Sequence, residues 1–217
     1  MEDFLNKIRD DHHNFDKGEL SDHVGNDPFA FFNDWFKEAI SVQQPEANAF
    51  VLSTVNLKLQ PSSRVLYIKE LTSEGMVFYT NYTSQKGEEL DRSPFCSALF
   101  FWPLLERQIR IEGSVSKVAP EVSDAYFKSR PRESQLGAWA SHQSQQLENR
   151  EQLIQRFKEF SHLYNDEVPR PPHWGGYVLK PSKFEFWQGR PSRLHDRMVF
   201  ERESIWSTSW KLFRKNP

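Results

Sequence analysis

Residues 107–118 read RQIRIEGSVSKV. In an extended chain Ile109, Ile111 and Val115 fall on one face and Gln108, Arg110, Glu112, Ser114 and Ser116 on the other, the period-two pattern of a strand with one wet face. The same period runs back toward the N-terminus. Phe95–Trp102 reads as the preceding strand, 76–80 as another behind the Ser73-Glu74-Gly75 turn, 61–69 (PSSRVLYIK) as another, and Ala49–Val55 as the first. Residues 56–60 must turn the chain between the first two, and they contain no glycine. Successive strands with short connections predict an antiparallel meander closing toward a barrel, in an α+β chain with peripheral helices. No GxGxxG or P-loop stands between a strand and a helix, which argues against a Rossmann-type site.

One helix interrupts the strands. Residues 82–92 (YTSQKGEELDR) can start from a cap at Thr83 or at Ser84, with free amide groups in the first turn beside Lys86. Such a terminus suits a phosphate, although most capped helices bind nothing. On the N-terminal side, Asp27 can cap a helix whose first turn takes Pro28. There Phe29, Phe32, Trp35, Phe36, Ala39 and Ile40 share one face as core packing. Residues 1–26 are polar, broken by Gly18 and Gly25, and read as a mobile arm bearing His12 and His13, ahead of a single domain over 27–217.

Beyond residue 118 the pattern turns helical. One helix is expected over 120–130, stopped by Pro131, and a second over 133–140. A third spans 148–164, with Leu153, Phe157, Phe160 and Tyr164 on one side. A proline-rich connector leads to 174–197, WGGYVLKPSKFEFWQGRPSRLHDR. This reads as two short strands around a Pro181-Ser182 turn, then a third strand. Arg190, Arg193, His195 and Arg197 crowd its end. If 193–197 is extended, Arg193, His195 and Arg197 share a face and suit a phosphate or another planar anion. A solvated edge strand whose charges discourage aggregation is an equal reading of the same residues. A final strand or two runs through Trp206, Trp210 and Phe213.

The bulk numbers narrow the class. With 28 Lys+Arg against 30 Asp+Glu the net charge is −2, which offers no general attraction to nucleic acid or anionic membrane. Cys96 is the single cysteine, so no intramolecular disulfide forms and a reducing compartment fits. The opening MEDFLNKIRDDHH lacks an apolar signal core, and no apolar run approaches the roughly 18 residues of a membrane span. No HExxH or CxxC spacing points to a metal. The expectation is a soluble cytoplasmic protein without metal, nucleic-acid or membrane partners.

Seven segments then occur in order: PSSRVLYIK, FYTNYTSQKGEEL, RQIRIEG, YFKSRPRESQLGAWASHQS, WGGYVL, FEFWQG and RLHDR. Together they resemble the pyridoxine (pyridoxamine) 5′-phosphate oxidase family, over roughly residues 27–217. The resemblance implies a homodimeric split β-barrel with FMN at the subunit interface. It also implies oxidation of pyridoxine or pyridoxamine 5′-phosphate to pyridoxal 5′-phosphate, with O2 as acceptor and hydrogen peroxide as product. For the cofactor it implies the strand Arg64, Val65, Leu66, Tyr67, Ile68 and Lys69, then Tyr79 and Thr80, Gln85 and Lys86 at the helix start, and Gln108 on the isoalloxazine edge. Gln143, Ser144, Trp187 and Arg197 would come from the second subunit. Tyr126, Arg130 and Ser134 would clamp the substrate phosphate, Tyr126 and Arg130 one helical turn apart. Lys69 would be shared with substrate, and Arg193 and His195 would lie over the substrate ring as the catalytic pair.

Some positions depart from the family pattern. Gln85 stands where a second arginine is usual, which removes one cation from the FMN phosphate. His12, His13, Asn14 and Phe15 stand where an Arg-Arg-Glu-Tyr segment usually folds over the substrate. Lys215 replaces a leucine near Arg214 and Pro217. The expected mechanism is hydride transfer from substrate C4′ to flavin N5, the protein supplying orientation and charge neutralisation. Competing readings are another split-barrel flavoprotein such as a flavin reductase, and a non-catalytic carrier or sensor of FMN or pyridoxal phosphate. A nucleic-acid binder is disfavoured by the acidic balance.

Overall fold

The computed structural model describes residues 14–217. His12 and His13, read above as part of the arm, lie outside the described residues. Five α-helices occur among the described residues: α1 Pro28–Ser41, α2 Gln85–Arg92, α3 Pro120–Ser129, α4 Arg132–Ala140 and α5 Arg150–Leu163. The strands are β1 Ala49–Val55, β2 Pro61–Tyr67, β3 Glu70–Leu71, β4 Met76–Asn81, β5 Phe95–Trp102, β6 Arg107–Lys117, β7 Trp174–Gln188, β8 Asp196–Glu201 and β9 Lys211–Arg214. The sheet order is β2-β1-β5-β6-β7-β4-β3, with β8 on β7 and β9 on β8. The chain forms two compact units. Of the described residues, one contains 14–47, 99–111 and 183–217; the other contains 48–98 and 112–182.

In the first unit Asp27 caps α1, its Oδ1 accepting from Phe29 N at 2.9 Å, and Pro28 opens the helix. Phe32, Trp35 and Ala39 are buried. Phe32 packs on Phe100 with ring centroids 5.2 Å apart, and Phe31 on Phe186 at 4.5 Å. Ile40, expected in this face, is instead exposed, because the apolar stripe has turned past it at the last turn. The chain before the helix is tied down. Lys17 N donates to Glu106 Oε2 at 3.1 Å, Leu20 N to Asp196 Oδ2 at 3.0 Å, and Arg190 Nη1 to Gly18 O at 2.9 Å.

In the second unit β1 and β2 pair antiparallel, with Leu52 opposite Arg64. Their turn has no glycine because Asn56 does its work: its Oδ1 accepts from Lys58 N and Gln60 N, and Leu59 takes a φ of 59°. The second strand ends at Tyr67, short of Lys69. Ile68 N donates to Asn48 O and Lys69 N to Val77 O, so the chain changes partners there. Phe50, Phe78 and Tyr177 pack in series, at 5.7 Å for each ring pair. A second cluster gathers Phe127, Leu136, Val168 and Trp174 under Phe157, Phe160 and Tyr164, the face expected for the long helix.

The expected Pro181-Ser182 turn does not exist. Trp174–Gln188 is one strand of 15 residues. On one side it pairs with β4 as far as Leu179 and with β8 from Lys183 onward. Pro181 falls in the gap between the two partners, where no ladder N–H is needed. At the strand's start, Gly175 lies against the Tyr82 side chain, and a Cβ there would sit 2.1 Å from the Tyr82 hydroxyl.

Candidate functional site

In the second unit the site begins at the N-terminus of α2. Ser84, not Thr83, is the cap, its Oγ accepting from Gly87 N. Gly87 lets this turn press on the preceding chain: a Cβ there would lie 2.1 Å from Tyr82 O and 2.8 Å from Asn81 O. Gly87→Ala should therefore destabilise the protein by about 1–3 kcal/mol, read as a lowered Tm, since the obstruction is backbone and cannot rotate away. The turn carries Lys86 inward. Its Nζ donates to Gln143 Oε1 at 2.8 Å and to Ser84 Oγ at 3.3 Å. Burial pushes the ammonium down to about 8, and the Arg64 charge adds to this while Glu89 opposes it.

Arg64 reaches the same region from β2. Its Nη1 donates to Thr54 Oγ1 and its Nη2 to Ser62 Oγ, each at 2.6 Å, with Glu89 Oε2 at 3.5 Å. Glu89 is almost fully buried and accepts from Thr54, Ser62 and Gln85. Burial raises its carboxyl, but those hydrogen bonds and the Arg64 charge outweigh it and hold the group below the ordinary carboxylate range. Sequence reading missed Glu89. Its spacing of four from Gln85 on a helix was the available signal. The flavin strand predicted over 64–69 divides between faces. Val65, Tyr67 and Lys69 are exposed, whereas Ile68 is buried. Lys69 Nζ lies 5.4 Å from the Tyr67 ring centroid.

Nearby in this unit, Tyr79 stacks on Tyr126 at 3.9 Å, and Trp174 lies nearly parallel to both. Arg130 is not on the helix of Tyr126. α3 ends at Ser129, and Arg130 is an extended residue (φ −74°, ψ 150°) ahead of Pro131. Its guanidinium lies 4.6 Å from the Trp174 ring centroid, and its buried Nη1 has no hydrogen-bond partner. A cavity of about 280 Å³ is lined by Arg130, Ser134, Trp174, Asn81 and Gln143. Thus Gln143 faces Arg130's cavity and also holds Lys86 of its own chain. Thr80 Oγ1 donates to the same Gln143 oxygen at 3.4 Å. The resemblance would bring Gln143 from a second subunit; its position beside Lys86 needs none. Ser144 is exposed at a φ of 70°.

In the first unit the expected extended run 193–197 is not extended. Pro191–Arg193 is a short 3₁₀ turn, and both Ser192 and Arg193 have positive φ (58° and 63°), so β8 starts only at Asp196. His195 Nδ1 accepts from Arg190 N at 3.1 Å, which leaves Nε2 to carry the proton of the neutral ring. Burial lowers the His195 pKa, and the Arg193 charge lowers it further. The His195 ring sits 4.7 Å from Trp187, and Phe15 meets both edge-on, at 5.4 and 5.6 Å. Arg197 grips the buried Glu185 through Nη2 at 2.6 Å and Nε at 3.1 Å; Lys215 Nζ reaches the other carboxylate oxygen at 3.3 Å. Gln108 is half-buried on β6.

Known proteins share this chain's sequence and fold. The sequence model of the pyridoxamine 5′-phosphate oxidase family matches residues 36–164, and that of the pyridoxine 5′-phosphate oxidase C-terminal dimerisation region matches 174–217. A pyridoxine/pyridoxamine 5′-phosphate oxidase of Bordetella pertussis is 50% identical over 97% of this chain and 99% of its own. Those of Paraburkholderia xenovorans (89% of this chain, 91% of that one) and Leptospira interrogans (92% of each) are both 52% identical. The crystal structure of PhzG from Burkholderia lata, in complex with tetrahydrophenazine-1-carboxylic acid, superposes with a TM-score of 0.86 at 30% identity, covering 93% of this chain and 100% of that one. The antiparallel strand order with peripheral helices is that of a split β-barrel. On sequence and fold together, the chain belongs to the pyridoxamine 5′-phosphate oxidase family of oxidoreductases.

Proposed function

We propose that the protein binds FMN and oxidises pyridoxine 5′-phosphate and pyridoxamine 5′-phosphate to pyridoxal 5′-phosphate in the cytoplasm, as a homodimer. Oxygen takes the two electrons and leaves as hydrogen peroxide; the amine substrate also takes up water and releases ammonia. The observation that carries this reading is Arg130, a cation whose buried Nη1 lacks a partner and which lines a cavity with Ser134. Such a donor costs stability unless an anion fills the site.

The residues fit a flavin phosphate as well. Lys86 is a buried ammonium whose hydrogen-bond acceptors, Gln143 and Ser84, are both neutral, and with Arg64 it makes two cations against the one carboxylate of Glu89. Lys86, Ser84 and Arg64 would hold the FMN phosphate, and Gln85, neutral and bonded to Glu89, adds no charge. FMN when bound supplies the two-electron chemistry. The chain's residues orient the substrate: Arg130 and Ser134 hold its phosphate, and Arg193 and His195 position its ring. Phe95 and Val65 are large apolar side chains left at the surface, material for a contact between copies.

Oxygen uptake by FMN-reconstituted protein given pyridoxine 5′-phosphate, with pyridoxal phosphate followed by absorbance, tests the reaction. Matched uptake and product are expected. Bound flavin with no uptake on either phosphate would replace the oxidase with a carrier.

Lys86 gives a pH signature. Without flavin it loses its proton as pH passes about 8, against an ordinary value of 10.5. A phosphate dianion favours the charged form, so FMN binding should take up protons and weaken as pH rises above 8. Calorimetry in buffers of different ionisation heat reads the uptake directly. Between about 8 and 10.5 the folded apoprotein binds fewer protons at Lys86 than the unfolded chain, so this residue's contribution to stability rises with pH there.

A further inference from the structure

Arg130 is held unlike three other half-buried arginines of its unit. Arg64 has Glu89 at 3.5 Å, and Arg170 donates Nε to Asp124 at 2.5 Å. Arg132 gives its donors to the backbone oxygens of Tyr164 and Asp166. Among the described residues no carboxylate pairs with Arg130. Its guanidinium lies 4.6 Å from the Trp174 ring centroid and 5.6 Å from that of Phe127. An aromatic face attracts a guanidinium through its quadrupole, yet takes none of its N–H donors and cancels none of its charge. A carboxylate in the same place would do both.

Trp174 is itself fixed. It is buried, its carbonyl accepts from Arg170 Nη1 at 2.7 Å, and its ring meets Phe127 edge-on at 5.1 Å. Its ring plane is within 10° of Tyr79 and 5° of Tyr126. The indole against which Arg130 lies is thus one of three nearly parallel rings.

We propose that Trp174 is a positioning residue for the phosphate site: its indole face holds Arg130 in place with its donors free, and so sets the affinity for a phosphate monoester in the Arg130–Ser134 cavity. This rests on the reading that the cavity takes the substrate's phosphate.

The test compares 4-deoxypyridoxine 5′-phosphate with unphosphorylated 4-deoxypyridoxine, both lacking a reactive aldehyde, binding to FMN-loaded protein by calorimetry. Trp174→Leu should weaken the phosphorylated ligand by roughly tenfold and leave the unphosphorylated one unchanged, while Trp174→Phe, which keeps a ring face, stays within about threefold. In turnover the same loss should appear in KM with kcat held. In an Arg130→Ala background, Trp174→Leu should add nothing, because the platform then has no load. If Trp174→Leu does not fold, Trp174→Met against Trp174→Phe makes the same comparison. Equal losses for both ligands would reduce Trp174 to scaffold and overturn the proposal, as would a full-sized loss without Arg130. Wild-type protein that fails to distinguish the two ligands is a separate result, and overturns the phosphate reading of the cavity itself.

Discussion

Arg193→Ala should lower kcat/KM for pyridoxine 5′-phosphate by roughly 10²–10⁴-fold while the protein keeps its FMN. The residue sits in a turn the fold maintains against its own backbone preference. Ser192 and Arg193 both hold positive φ without being glycine, a conformation that costs about 1–3 kcal/mol per residue and persists only where surroundings enforce it. The enforcing contacts are visible: Leu194 N donates to Pro191 O, Arg190 N to His195 Nδ1, and Gly189 N to Glu106 O. Strain of this kind is kept where it aims a side chain. The Arg193 guanidinium has no hydrogen bond or ion pair to another described residue, yet its charge is felt at His195. The residues proposed for the flavin phosphate, Lys86 and Arg64, belong to a different part of the chain, so flavin retention should be untouched. Steady-state oxygen uptake, with flavin absorbance per protein as the control, measures both. An unchanged rate would remove Arg193 from the chemistry. Arg193→Lys should recover only part of the loss, since it restores charge without the planar fork.

Arg130→Ala should raise KM for both phosphorylated substrates by roughly 10–100-fold, equivalent to about 1.4–2.7 kcal/mol, with kcat changed far less. The binding term is uniform, since the phosphate is not transformed and is held alike in ground and transition states. The same variant carries a second expectation. In the unliganded protein the buried Nη1 is unsatisfied, and burial lowers the Arg130 pKa despite the opposing influence of Tyr126. Removing that group relieves a desolvation penalty, so Tm of the free protein should not fall, whereas the protection given by bound substrate should largely vanish. A KM equal to wild type would refute the clamp. A large drop in free-protein Tm would mean that Arg130 holds the fold rather than the ligand.

Much of the fold was legible because its elements obey local rules. β5 was delimited to the residue by alternation, and Asp27 with Pro28 marked the start of α1 unambiguously. The errors have a common cause, which is that a residue's local meaning depends on what stands opposite it. Pro181 reads as a turn until one knows that its missing donor faces a gap between partner strands. Arg193, Leu194 and His195 read as strand because no sequence rule announces two consecutive non-glycine residues with positive φ. The members of the site were legible largely through the family's motifs. Their arrangement was not: Glu89 behind Arg64, Phe15 against His195 and Trp174 under Arg130 are contacts between residues far apart in sequence. Tyr126 and Arg130 show the converse, a helical spacing that fails because Pro131 pulls the preceding residue out of the helix.

The register of β4 on β7 sets a timetable for biosynthesis. Met76 pairs with Leu179 and Asn81 with Trp174, about a hundred positions apart. A ribosome adding roughly 5–20 residues per second leaves Met76, Val77 and Phe78, all buried in the finished protein, waiting on the order of 5–20 s for their partner strand. Through that interval an apolar strand edge is available to any other nascent chain. The yield of soluble protein should therefore respond to translation speed and to chaperones that shield extended apolar segments, more than its finished stability would suggest.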